Sequence, residues 1–342
     1  MAAPILVWGA GAIGGSVGAW LTRAGHDVTF VDVVAEHVAA IRDPARGLRI
    51  IGPVEQFTVT APAFTPQELA GRWQHILLAV KAQHTEAAAH ALVPFLAEDG
   101  YVLSLQNGLN ENIIAGVVGR PRIIGAFINF GADWMTPGEI MFGNRGAVVL
   151  GELDGQITPR LQALHATLRD FEPDAIVTPD IWAYLWGKLG YGAMLFAQAL
   201  GEAGIADCLA RPELLPLWRK LGAEAIQVAL AEGVQPRGFN GFEIDAFRPG
   251  ASEAAARACV AAMSDFNRGS AKTHSGVWRD LWVRKRSTEV DVQILPIVEQ
   301  GARRGIDCPA SRRLVAMIHE AEQGTRPMSD DNLVELARSA AA

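Results

Sequence analysis

Cysteine is scarce in this chain: Cys208, Cys259 and Cys308 are its whole complement, widely spaced and without a C-x-x-C pair. That excludes a disulfide framework and a zinc knuckle, and it suits a reducing cytoplasm. No metal site is expected. Surplus cations are missing too, since the formal net charge is -7 and the one basic cluster, Arg284-Lys285-Arg286, is short. Phosphate backbones are gripped by concentrated Lys and Arg, so nucleic-acid binding is excluded as the main function. No uncharged apolar run reaches transmembrane length, and no membrane partner is expected. Met1 to Pro4 leads straight into an apolar run and leaves no room for a signal peptide. Internal repeats and low-complexity segments are absent as well.

What is present is globular composition over 342 residues, enough for two domains with substantial cores. The chain is organised around Ile5 to Asp32. An apolar run, Ile5 to Trp8, ends in Gly9, Gly11 and Gly14; a helical pattern follows through Ala24. After a break at Gly25, the apolar run Val28 to Val31 closes on Asp32. Strand, glycine turn, helix, strand and acid in this order make a dinucleotide-binding βαβ unit. Gly9 permits the tight turn, Gly11 lets the backbone approach a pyrophosphate, and Gly14 lets the helix lie close to the strand. The pyrophosphate would sit on unpaired N–H groups at the helix start, around Gly11 and Ala12. Asp32 can accept hydrogen bonds from the adenosine ribose and would repel a 2′-phosphate, which favours NAD(H) over NADP(H). Val33, Val34 and Ala35 offer no cation for that phosphate, and Arg42 lies farther along. Alternatively, Asp32 merely caps the next helix.

Further along, a β-rich segment spans Leu48 to Thr60, and Pro62 and Pro66 punctuate a loop and a short helix. His75 to Val80 reads as a buried parallel strand ending on Lys81. A helix is expected from Thr85 to Leu96, then a strand from Tyr101 to Leu105 ending at Asn107. Such alternation specifies an α/β domain whose ligands lie beyond the carboxyl ends of the strands, the side on which Lys81 and Asn107 fall. Arg122 to Leu150 reads as an antiparallel extension of the sheet, followed by a helix from Thr158 to Asp170 and a strand from Ala175 to Thr178. From Pro179 the pattern is helical, with helices expected at Leu214–Glu232, Ser252–Met263, Arg286–Arg304 and Ser311–Gln323, and a short one after Thr325. The expected domains are residues 1–178 and 179–342.

Lys188 lies beside Leu185 and Leu189 on a helix. Partly desolvated, it would donate a proton to a carbonyl oxygen; as a surface lysine it would only snorkel. Glu289 and Asp291 stand at a helix start that Ser287 or Thr288 can cap, so either is a candidate carboxylate or an ordinary solvated one. In the polar run Lys272-Thr273-His274-Ser275, Ser275 could hold a substrate carboxylate or cap a helix beginning at Gly276 or Val277. His274 has no visible partner and reads as structural.

Five motifs in order, WGAGAIGG, VKAQHT, LQNGLN, WGKL and HSGVWRD with STEVD, make the chain similar over nearly its whole length to the ketopantoate reductase family of 2-oxo acid reductases. The resemblance implies an N-terminal Rossmann-type dinucleotide-binding domain followed by an all-α C-terminal domain that carries substrate and catalytic residues. It implies a small-molecule 2-oxo or 2-hydroxy acid partner and a homodimer. By the same resemblance Lys188 protonates the carbonyl oxygen, Glu289 contacts substrate and orients Lys188, and Asn107 lies near nicotinamide and substrate. Lys81 stands beside the cofactor, and Ser275 binds the substrate carboxylate.

The chain departs from the family in three places. Members that reduce ketopantoate carry asparagines four and eight residues after the lysine, where this chain has Gly192 and Phe196. With Tyr191 and Met194, these predict a roomier or more apolar pocket, because losing the polar partners of a hydroxyl removes the preference for it. The interval from Asp280 to Glu289 is longer than usual, and Asp32 stands near the point where members that use NADPH carry a basic residue. The expected function is therefore a NAD(P)-dependent 2-hydroxyacid dehydrogenase or 2-oxoacid reductase acting on a CH-OH group, with ketopantoate disfavoured as substrate. The alternatives are 2-dehydropantoate 2-reductase proper, a reductase of a 3-hydroxy or sugar-derived acid, and a non-catalytic dinucleotide-binding redox sensor.

Overall fold

The structure, a computed structural model, describes residues 3–269 and 273–341. Its chain divides into a first unit ending at Ile181 and a second beginning at Trp182. The division falls within the first turn of a helix and not at Pro179, because the Ile181 side chain packs against Gly125 and Gly151 of the first unit's sheet.

The first unit opens as the glycine pattern dictates: β1 (Ile5–Trp8), α1 (Ala12–Arg23), β2 (Val28–Val31) and α2 (Ala35–Arg42). Next come β3 (Leu48–Ile51), β4 (Phe57–Val59), β5 (Ala63–Phe64), β6 (Trp73–Leu78), α3 (Thr85–Leu92), β7 (Leu96–Ser104) and α4 (Asn110–Val118). The unit ends with β8 (Ile123–Ile128), β9 (Gly131–Thr136), β10 (Glu139–Asn144), β11 (Val148–Glu152), α5 (Pro159–Leu168) and β12 (Ile176–Val177). Among the described residues the main sheet has eight strands in the order β12-β11-β8-β7-β6-β1-β2-β5. From β8 to β5 the pairs are parallel, and β11 lies antiparallel to β8. Because β1 has β2 on one side and β6 on the other, the chain reverses direction across the sheet at β1, where doubly wound sheets bind their ligands.

Three expectations are corrected here. Arg122 to Leu150 does not simply extend the sheet: β8 and β11 join it, whereas β9 and β10 form a second sheet with β3 and β4, in the order β4-β3-β10-β9. This sheet lies on α1, and Gly15 is required in the helix, since a Cβ would come within 2.6 Å of the Ala10 carbonyl oxygen as well as 2.3 Å of Ile140 Cδ1. Trp20 of α1 is buried against Phe57, Phe142 and Phe171, so truncating it would cost about 3–5 kcal/mol. The helix expected through Leu96 stops earlier, after a short 3-10 turn at Val93–Phe95, and the segment after Pro62 gives the edge strand β5.

The second unit is helical: α6 (Ile181–Gln198), α7 (Ile205–Ala210), α8 (Leu215–Ala231), α9 (Glu253–Arg268), α10 (Gly276–Trp278), α11 (Val290–Gln293), α12 (Leu295–Arg303), α13 (Pro309–Glu322) and α14 (Asp331–Ala341). The helix expected over Arg286–Arg304 is broken. Residues before Val290 are irregular, and Pro296 falls in the first turn of a new helix after Ile294 because a proline has no N–H to donate in a helix interior. Trp218 of α8 is fully buried in a core shared with α6, α9, α13 and α14. Buried Glu224 accepts the Ala310 and Ser311 N–H groups at 3.0 and 2.8 Å, capping α13 from a neighbouring helix.

Candidate functional site

The glycine turn after β1 fits a dinucleotide phosphate. Gly9 has φ +98°, and a Cβ there would lie 2.8 Å from the Val80 nitrogen. At Gly14 a Cβ would come within 2.1 Å of the Gly9 carbonyl oxygen, so strand and helix touch as the motif requires. A Cβ at Gly11 would meet nothing within 4 Å, which leaves open space over the turn. Among the described residues no side chain caps α1, whose first turn, with Ala12, carries no acidic residue. Its first N–H groups therefore present positive charge toward that space.

Asp32 is fixed on this turn. Its Oδ2 accepts the Ala10 N–H at 2.9 Å and its Oδ1 the Val34 N–H at 3.0 Å. It does not cap α2, which starts without a side-chain cap. Val33 beside it is 81% exposed, and Arg42 points elsewhere, hydrogen-bonding Glu68 at 3.4 Å.

Lys81 and Asn107 follow β6, which pairs with β1, and β7, which lies beyond β6, all parallel, so both loops emerge at the same edge as the glycine turn. Three residues missing from the sequence-based site tie these loops together. Gln106 Nε2 donates to the Val80 carbonyl at 2.9 Å and to Thr85 Oγ1 at 2.8 Å. Thr85 Oγ1 lies 3.0 Å from Asn110 Oδ1, and Asn110 Nδ2 donates to the Asn107 carbonyl. The repeated amide and hydroxyl types in VKAQHT and LQNGLN were the only available signal; the pairing across strands is not legible in one sequence. His37, 1% exposed, was missed for the same reason: its partners are Ala10 and Gly138.

In the second unit Lys188 lies half-buried on α6 between the buried Leu185 and Leu189. One turn on, a Cβ at Gly192 would meet nothing within 4 Å, so the lysine's face of α6 is left open there. Tyr191, Met194 and Phe196 correct the expected apolar pocket: all three belong to the helical core, and Tyr191 Oη accepts from Asn267 Nδ2 at 2.9 Å. Glu289 is 5% exposed at the start of α11, where its carbonyl accepts the Val292 and Gln293 N–H groups at 3.2 and 3.0 Å. The Thr288 hydroxyl accepts the Val290 N–H at 3.2 Å. Asp291 points to His319 at 2.9 Å.

Ser275 is buried and caps α10, its Oγ accepting the Trp278 N–H at 3.1 Å. Its own hydroxyl proton can still be donated. His274 is engaged at both ring nitrogens, with Thr273 Oγ1 at 2.9 Å and the Glu202 carbonyl at 3.1 Å. Lys272 lies outside the described residues. The long interval before Glu289 is a π-helical turn, Arg279–Val283, followed by a loop gathered on buried Asp280, which takes Arg284 at 3.2 Å and Arg286 at 2.9 Å. The basic cluster is thus partly neutralised within its own loop.

Residues 5–155 match the family model described as Ketopantoate reductase PanE/ApbA, and residues 180–322 match the model of its C-terminal part. The chain is 30% identical over 322 residues to the 2-dehydropantoate 2-reductase of Archaeoglobus fulgidus, covering 94% of this chain and 98% of that one. A crystal structure of 2-dehydropantoate 2-reductase from Geobacter metallireducens is similar with a TM-score of 0.79 and 26% identity, over 93% of this chain and 99% of that one. D-mandelate dehydrogenase, solved with NADH and anilino(oxo)acetate, shares the fold with a TM-score of 0.82 at 21% identity, over 94% and 99% of the two chains. With both family models matched in order over most of its length, the chain belongs to the ketopantoate reductase family.

Proposed function

We propose that this protein is a NAD(P)H-dependent reductase of 2-oxo acids, working between the 2-oxo and 2-hydroxy forms, that it favours NADH, and that ketopantoate is not its preferred substrate. The observation that carries the cofactor preference is Asp32, held by Ala10 and Val34 with uncharged residues following it. At 4 Å each charge of a 2′-phosphate would be repelled by about 1 kcal/mol in water, and by more as solvent is excluded. Ribose hydroxyls would instead donate to the same carboxylate. Bound nicotinamide dinucleotide supplies the hydride that reduces C2.

Lys188 donates a proton to the oxygen on C2, and its charge stabilises the nascent alkoxide. Glu289, its backbone anchored at the start of α11, orients that ammonium. Asn107 positions the substrate and nicotinamide, Lys81 stands beside the cofactor, and Ser275 donates its remaining hydroxyl proton to the substrate carboxylate. The opening at Gly192 supports a substrate bulkier than ketopantoate, since no side chain there can hydrogen-bond a hydroxyl. Three buried free cysteines suit a reducing cytoplasm, and a homodimer belongs to the same reading. The competing assignment, ketopantoate reduction, draws on the name of the Archaeoglobus fulgidus relative.

Lys188→Ala tests the mechanism. We expect kcat to fall by about 10²–10⁴ while NADH binding measured by fluorescence is retained. Undiminished turnover would remove Lys188 from the chemistry.

A further inference from the structure

The peptide groups flanking Ala10 are held from two sides. Asp32 Oδ2 accepts the Ala10 N–H at 2.9 Å, and His37 Nε2 lies 2.8 Å from the Ala10 carbonyl oxygen. The His37 ring is in turn anchored by the Gly138 N–H, which donates to Nδ1 at 2.9 Å from the turn between β9 and β10. Because Nδ1 accepts, the ring proton of the neutral imidazole lies on Nε2 and is donated to Ala10. Gly138 has φ +83°, and a Cβ there would sit 2.8 Å from the Ala40 Cβ, so the second sheet's turn is fitted closely onto α2.

A planar trans peptide points its C=O and the following N–H in opposite directions. Fixing the Ala10 carbonyl on His37 therefore aims the Gly11 N–H away from the imidazole, at the start of α1. Gly11 has no Cβ, so no side chain of its own limits rotation of that peptide. We propose that His37 is a positioning residue for the dinucleotide turn, acting through the Ala10 carbonyl to hold the Gly11 N–H in its phosphate-binding direction. The second sheet thereby serves the cofactor site as well as covering α1.

This inference rests on the proposed dinucleotide binding. Its test is fluorescence titration of NADH on the full chain, with amide exchange at Gly11 followed alongside. His37→Asn keeps an acceptor where Nδ1 meets Gly138 but is too short to reach Ala10; His37→Gln places its amide where Nε2 meets Ala10. We expect His37→Asn to raise the NADH Kd about three- to tenfold and speed Gly11 exchange, with kcat at saturating NADH and the KM of the oxo acid unchanged. His37→Gln should stay within about twofold of the native Kd, the acceptable residue of a preserved hydrogen bond. An unchanged Kd in His37→Asn, equal loosening in both variants, or an effect confined to melting temperature would overturn the proposal. A native protein that binds neither NADH nor NADPH would instead overturn the dinucleotide reading beneath it.

Discussion

Asp32 shapes the glycine turn through Ala10 and, in the proposed reading, also sets the charge that a ribose or a 2′-phosphate meets. Asp32→Asn removes the charge while its amide oxygen still accepts the Ala10 N–H; the bond to the Val34 N–H is lost with it. Removing one partly solvated charge changes the interaction by about 1–2 kcal/mol, so the ratio of NADPH to NADH affinity should rise about tenfold. Parallel titrations with the two cofactors check this, and an unchanged ratio would take cofactor choice away from Asp32. Ser275 shows that a structural and a functional reading need not exclude each other, since an oxygen that caps a helix by accepting still has a proton to give.

Glycines along α6 differ in what they do, and this is the scale at which sequence and structure separate most clearly. A Cβ at Gly187 would lie 1.9 Å from the Arg237 carbonyl oxygen, because the segment after α8 crosses the helix there. At Gly192 it would meet nothing. Gly187→Ala should therefore destabilise the protein by about 1–3 kcal/mol, and Gly192→Ala should stabilise it by about 0.5–1 kcal/mol. Urea unfolding measures both, and a loss of stability in Gly192→Ala would mean that its surroundings are not open. The αβ alternation and the glycine turn were legible in the sequence because hydrophobic periodicity and glycine spacing are local. Assignment of β9 and β10 to a second sheet was not, since it depends on pairing β10 with the distant β3. Nor was the inward direction of Tyr191, Met194 and Phe196: residues on a helix that is apolar nearly all round carry no label for the face that meets the core. The positions of Lys188 within a helix and of Glu289 at a helix start followed from the helical pattern, whereas the network of Thr85, Gln106 and Asn110 required the fold.

At the scale of the whole molecule, the parallel sheet presents a glycine turn, Asp32, Lys81 and Asn107 from one unit, and the helical unit carries Lys188, Gly192, Ser275 and Glu289. A positioned cation, Lys188, is the source of acceleration that the proposed mechanism asks of this residue set. The central claim is that this pairing runs 2-oxo acid reduction with NADH on a substrate larger than ketopantoate. The most direct measurement follows NADH and NADPH absorbance separately against a panel of 2-oxo acids, with ketopantoate beside bulkier apolar and aromatic ones. The account predicts faster NADH consumption with an acid other than ketopantoate; rapid NADPH oxidation with ketopantoate, or silence across the panel from a protein that binds NADH, would contradict it.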